Sequence, residues 1–215
     1  MNVAHSNSHE SWQNSTSHMV LEKIFSSSTS VVVWERPESE VIQHYFSDNF
    51  EALGAGLRNV FNMETLEEAL GEALPDGEGK SEVVQDIFLL ADMLTCLFGC
   101  QEVGLRLTPL NKAMCPKFHV DNIPVRLVTT YLGDGTHWLP TEIVNRSKLG
   151  RGAKGLADDK SGLYPDETYI QKMNAFEVAL LKGKAWEGHE DMAAVHRSCP
   201  VEKDQKRVLL TLDPM

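Results

Sequence analysis

The sequence predicts an α+β fold in which N-terminal helices pack against a β-sandwich or barrel. Three observations carry this. Between residues 40 and 100 apolar residues recur at helical spacing. From about Glu102 the texture changes to short apolar runs divided by Gly, Pro and Asp, which is the pattern of strands. A chain of 215 residues is also long enough to bury one sizeable core, so one domain with appendages is expected.

Residues 1–30 carry nine serines and three histidines, His5, His9 and His18. Such a composition builds a poor core, and a mobile Ser/His-rich tail is expected, with a short helical turn near Met19 to Phe25. Residues 31–100 form the helical N-terminal part. Val31 to Trp34 reads as a short strand stopped by Pro37. From Glu40 to Phe61 the spacing of Ile42, Tyr45, Phe46, Phe50, Leu53, Leu57 and Val60 predicts one long helix. Thr65 with Glu68 resembles a capping box that opens a second helix, which the stretch Pro75 to Gly79 breaks. A third helix runs near Glu82 to Phe98, with Gly99 placed to end it.

Residues 101–215 form the β core. Strands are expected at Val103–Leu107, Phe118–Val120, Val125–Leu132, Phe176–Leu181, Ala194–Arg197 and Val208–Leu212. A long basic loop at 141–165 carries Arg146, Lys148, Arg151 and Lys154 among glycines. It lacks the order of a phosphate-binding P-loop and reads as a lid over the barrel mouth or as a plain solvated loop.

Charge excludes some partners. The formal net charge is −11, from 31 acidic and 20 basic residues, which suits neither DNA nor RNA phosphates, so no nucleic acid is expected. No segment reaches the roughly 18 apolar residues of a membrane span, so no membrane partner is expected either. The N-terminus has no signal-peptide pattern and the four cysteines read as reduced thiols, which points to a cytoplasmic protein.

Chemistry concentrates in two distant segments, CPKFHVDNIP (Cys115 to Pro124) and VHRSCP (Val195 to Pro200). In a strand His119 and Asp121 share a side, and a neighbouring strand can return His196 to the same interior. Two histidines and one carboxylate with open positions make the facial triad that non-haem Fe(II) oxygenases use. His119 and Asp121 could equally be a hydrogen-bonded pair in a polar interior. Cys115 and Cys199 open a further alternative, because a thiolate added to the triad makes a zinc site; otherwise they are buried and inert. His137 rivals His196 as the distal ligand, and Arg126 and Arg197 are alternative anion anchors.

The run HVDNIPVRLVTTYLGDGTHWLP followed by VHRSCPVEKDQKRVLLTLD resembles the double-stranded β-helix (jelly-roll or cupin-like) barrel of Fe(II)/2-oxoglutarate-dependent dioxygenases. The resemblance implies that His119, Asp121 and His196 bind iron. It also implies that Arg207, eleven residues beyond His196, holds the far carboxylate of 2-oxoglutarate, for which a guanidinium fork is suited; Tyr131 is the second contact to that cosubstrate. Over the whole chain the segments CPKFHVD, YLGDGTHWLP, ALLKGKAW and VHRSCP are similar to a bacterial family of uncharacterised proteins, domain of unknown function 1826.

The expected function is therefore an Fe(II)/2-oxoglutarate-dependent oxygenase, a hydroxylase acting on a small molecule or a protein side chain. The alternatives are a non-catalytic zinc- or iron-binding module for metal handling, and a cupin-like enzyme that uses no 2-oxoglutarate. The sequence sets neither the substrate nor the oligomeric state.

Overall fold

The computed structural model describes residues 7–8 and 11–215. In chain order the elements are β1 (Asn7–Ser8), β2 (Trp12–Ser15), β3 (Val31–Trp34), α1 (Glu40–Asp48), β4 (Leu57–Asn62), α2 (Leu66–Ala73), α3 (Lys80–Phe98), β5 (Glu102–Leu110), β6 (Val125–Leu132), β7 (His137–Leu139), α4 (Asp158–Ser161), β8 (Gln171–Lys172), β9 (Val178–Lys182), β10 (Val195–Arg197) and β11 (Arg207–Pro214). Short 3-10 turns link several of them.

Eight strands form one sheet in the order β1-β2-β3-β9-β6-β11-β5-β4, and three form a second in the order β10-β7-β8. Period-two alternation gives the large sheet two different faces. On one, Leu127 and Tyr131 of β6, Val208, Leu210 and Leu212 of β11, and Leu105 and Leu107 of β5 pack under α1, α2 and α3. On the other, Val31, Val33, Val128, Ala179, Leu181 and Leu209 meet Trp138 and Ala194 from the small sheet. The result is a mixed α/β arrangement: a helical layer, a large sheet, and a small sheet facing it. The expected barrel does not close. No strand of the large sheet pairs with β10, β7 or β8 among the described residues. Interdigitating side chains join the sheets as in an open sandwich, with backbone links such as Ala194 N–H, just before β10, to the Lys182 carbonyl at 2.8 Å.

The predicted helix from Glu40 to Phe61 is two elements. Helix α1 stops at Asp48, and the chain turns through Gly54 and Gly56, whose φ angles are +56° and +78°. A side chain at Gly56 would place its Cβ 2.1 Å from the Leu107 carbonyl oxygen. The following residues pair as β4 with β5, from Leu57 opposite Leu107 to Asn62 opposite Glu102. Thr65 begins α2, but its hydroxyl bonds back to the Asn62 carbonyl at 3.3 Å and forms no capping box. Helix α3 matches expectation and ends at Gly99.

From Ser11 onward the expected tail is built into the fold. Strand β2 runs parallel to β3, and a 3-10 helix spans His18–Phe25 with Val20, Leu21 and Ile24 buried. Serine-rich sequence can be buried here because hydroxyls take up stranded backbone groups: the Ser30 hydroxyl donates to the Ser11 carbonyl at 3.0 Å, and Thr141 N–H donates to Ser11 Oγ at 2.9 Å. His18 stacks edge-on against Trp34. His5 and His9 lie outside the described residues.

The basic loop covers the outer face of the small sheet. Ile143, Val144, Leu149, Leu163 and Tyr164 pack there on Phe118, Leu139 and Val195. The loop is therefore not a plain solvated one: its apolar residues have a packing role, because the β7–β10 face opposite the large sheet is apolar and needs a cover.

Candidate metal centre

Cys115 to Pro124 does not form the strand predicted at Phe118–Val120. His119 alone makes a bridge, with His196. That bridge sets the centre: His119 N–H donates to the His196 carbonyl at 2.9 Å, and His196 N–H returns to His119 at 3.0 Å. Each Nδ1 lies beside a carbonyl two residues back, Lys117 O at 3.0 Å for His119 and Ala194 O at 3.1 Å for His196. With Nδ1 donating, each Nε2 carries a free lone pair, the arrangement a metal-ligating imidazole needs.

Both Nε2 atoms meet the Asp121 carboxylate. His119 Nε2 is 3.7 Å from Oδ1 and His196 Nε2 is 3.7 Å from Oδ2. One ligand atom from each of the three residues lies within 4.8 Å of the others. Among the described residues no other group of three or more His, Cys, Asp or Glu side chains meets that condition. Burial, then the adjacent His119, pushes the His196 imidazole down to about 4. It is therefore neutral at physiological pH, as a ligand must be. Donor chemistry, tautomer and geometry all fit a divalent ion such as Fe(II).

Asp121 is itself clamped. Arg126 of β6 forms a short ion pair with Asp121 Oδ2. The same guanidinium grips Asp213 of β11 in bidentate fashion, Nε to Oδ1 and Nη2 to Oδ2, both at 2.7 Å. Arg126 is thus fully engaged and is not the free anion anchor it could have been. Asp213 was not apparent from the sequence. The signal was there: alternation along β11 puts Arg207, Leu209, Thr211 and Asp213 on one face.

Arg207 lies on that face with 1% of its surface exposed. Its Nε donates to the Asp134 carbonyl at 2.7 Å, and Nη2 reaches the hydroxyls of Thr130 and Thr136, each at 3.2 Å. Nη1 lies 3.4 Å from Ser198 Oγ. Burial lowers its pKa, and no carboxylate stands within ion-pair distance among the described residues. Thr136 and Ser198 line the cleft that His119 and His196 share, while Arg207 itself borders a neighbouring cavity with Asp134 and Cys199.

Tyr131 is elsewhere. One residue out of phase with Thr130, it faces the helices, stacks on Phe46, and donates its hydroxyl to Asp86 at 2.7 Å. The sheet separates it from the metal triad, so the expected cosubstrate contact is not made. His137 pairs with Arg197 across β7 and β10 while Trp138 pairs with His196. It therefore points away from the triad and is no rival ligand. Arg197 is turned the same way, over the Phe118 ring and 3.8 Å from Asp158. The Cys199 thiol lies 3.2 Å from the Asp134 carbonyl, and burial raises its pKa. Cys115 is exposed at the cleft. Neither cysteine joins the ligand group, so the four-ligand zinc site is not assembled.

The chain belongs to the family described as protein of unknown function DUF1826, whose model matches residues 15–213. No curated protein matches it by sequence. Among solved structures it is similar to HygX from Streptomyces hygroscopicus, with nickel and 2-oxoglutarate bound, at 12% identity and a TM-score of 0.50, covering 93% of this chain and 87% of that one. It is also similar to a prolyl 4-hydroxylase from Phytophthora capsici at 14% identity and a TM-score of 0.51. That match covers 92% of this chain but 62% of the hydroxylase. These likenesses establish a shared fold. No helix among the described residues is long and apolar enough to cross a membrane.

Proposed function

We propose that the protein is an Fe(II)/2-oxoglutarate-dependent oxygenase that hydroxylates a small-molecule substrate. The observation that carries this is the convergence of His119, Asp121 and His196, with all three ligand atoms inside 4.8 Å. A buried guanidinium without a carboxylate partner, Arg207, completes the case, because a buried cation is costly until an anion meets it.

Bound iron and 2-oxoglutarate would together activate dioxygen, one oxygen atom ending in the substrate hydroxyl and the other in succinate, with carbon dioxide released. The chain's own residues do the rest. Carbonyls of Lys117 and Ala194 hold the two imidazoles in the ligating tautomer. Arg126 keeps the Asp121 carboxylate turned inward. Arg207, framed by Thr130, Thr136 and Ser198, takes the distal carboxylate. Val128, Leu181 and Leu209 give the cleft an apolar wall that limits water.

Anaerobic titration with Fe(II) and then 2-oxoglutarate tests the reading. A weak visible charge-transfer band should appear only when both are present and should vanish in His119→Ala. Arg207→Lys keeps the charge but loses the fork, and should weaken 2-oxoglutarate about tenfold or more. A protein that retains Fe(II) yet gives no band with 2-oxoglutarate is not such an oxygenase.

A further inference from the structure

We propose that Arg106 is the substrate anchor, holding the carboxylate of a small organic acid beside the metal triad; this rests on the oxygenase reading above. Arg106 sits on β5 and lines the same cleft as His119 and His196. Its side chain is 41% exposed, and its one ion pair among the described residues is a 4.0 Å contact to Asp213 Oδ2. Both Asp213 oxygens are already held by Arg126 at 2.7 Å. Among the described residues, the one anion within ion-pair distance of Arg106 is already in use.

A second group beside it lacks a partner. Thr211 of β11 stands opposite Arg106 in the ladder and lines the same cleft. It is 9% exposed, and its Oγ1 makes no hydrogen bond. A buried hydroxyl left unpaired costs about 1–3 kcal/mol. A carboxylate on the guanidinium meets this hydroxyl as well once the Thr211 side chain rotates, because its oxygen is sealed from solvent as it stands.

Charge balance selects the class of anion. With a dication and doubly negative 2-oxoglutarate in place, the two ligands neutralise each other. Asp121 and Asp213 then offset two of the three guanidiniums of Arg106, Arg126 and Arg207. Among these groups one positive charge remains, which matches a carboxylate; exposed Arg58, opposite Arg106 on β4, does not line the cleft. The chain as a whole carries a net charge of −11, so the cation in the cleft runs against the overall charge. The Asp121 and His196 side chains are 19% and 10% exposed, a recess that favours a free small acid over a polypeptide.

The test uses full-length protein loaded with Zn(II) and N-oxalylglycine, an inert 2-oxoglutarate analogue. Saturation-transfer NMR measures binding of straight-chain and aromatic monocarboxylic acids of up to eight carbons, each beside its primary amide. Blocked Asp and Glu peptides form a separate arm. At least one acid should bind about tenfold tighter than its amide. Arg106→Gln should abolish that preference, and Thr211→Val should reduce it. The proposal is overturned if no acid binds, if acid and amide bind alike, if Arg106→Gln leaves the preference intact, or if only the peptides bind. N-oxalylglycine affinity is read in the same samples. Its absence defeats the oxygenase reading, and the acid-to-amide ratio on the Zn(II) protein still reports on Arg106.

Discussion

His119 and His196 face each other across a two-hydrogen-bond bridge, with their rings 4.5 Å apart between centroids. The bridge extends the small sheet by one residue beyond β10. It fixes two ligands on backbone hydrogen bonds, so the third, Asp121, needs its own restraint.

Arg126 supplies that restraint. Arg126→Gln frees Asp121 to rotate and leaves Asp213 without its bidentate partner. Affinity for Zn(II) or Co(II), measured by competition with a chelating dye, should drop about 10–100-fold. Asp213→Asn should give a smaller loss of the same kind. Wild-type affinity in both variants would show that Asp121 holds its place unaided.

Gly183 lies against the backbone of the segment that carries Asp121. A Cβ there would lie 1.9 Å from the Ile123 carbonyl oxygen and 3.0 Å from that of Asp121. The next residue, Lys184, donates its N–H to Asp121 O at 2.7 Å. Gly183→Ala must push the segment carrying Asp121 away, so the rise in melting temperature that Zn(II) produces should shrink. A metal-induced rise equal to wild type would contradict this close approach.

Tyr131 separates structure from cosubstrate binding. Tyr131→Phe removes a buried hydrogen bond to Asp86 and should destabilise the fold by about 1–3 kcal/mol in denaturant unfolding. Because the ring lies on the helix side of the sheet, 2-oxoglutarate affinity should not change. A large loss of that affinity would place Tyr131 in the site after all.

His137 predicts an acid-sensitive fold. Burial, and then Arg197, Lys172 and Arg207, push its pKa from 6.5 down to about 4. Between those values the unfolded chain binds a proton that the folded chain refuses, so stability is full above pH 6.5 and declines as pH falls towards 4. In His137→Met this part of the decline should disappear, seen as a shallower slope of unfolding free energy against pH. An identical slope in the variant would mean that His137 takes up its proton in the folded state as readily as in the unfolded one.

Local pattern was a sound guide where one element decides its own shape. β3 and β6 were legible at their observed bounds, because β-branched and aromatic runs with alternation leave few options. Helix α3 was legible from its apolar stripe and terminal glycine. Leu53 and Leu57 misled because a helical period continued by chance through Gly54 and Gly56, and pairing with β5 then outweighed it. The serines of the first described segment misled because composition says nothing about which hydroxyls find buried partners.

The sequence by itself determined the residue types of the centre, two imidazoles and a carboxylate in two segments, and the helical-then-stranded order of the chain. Only the tertiary structure decided which side of each strand faces the His119, Asp121 and His196 cluster. A one-residue difference in phase sends Thr130 to Arg207 and Tyr131 to Asp86, and that phase is set by which face of the sheet the helices bury. Tertiary structure also left the sandwich open, turned His137 outward, and brought Asp213 from the last strand to hold Arg126. Those outcomes depend on contacts between residues far apart in the chain, and spacing along a single segment carries no record of them.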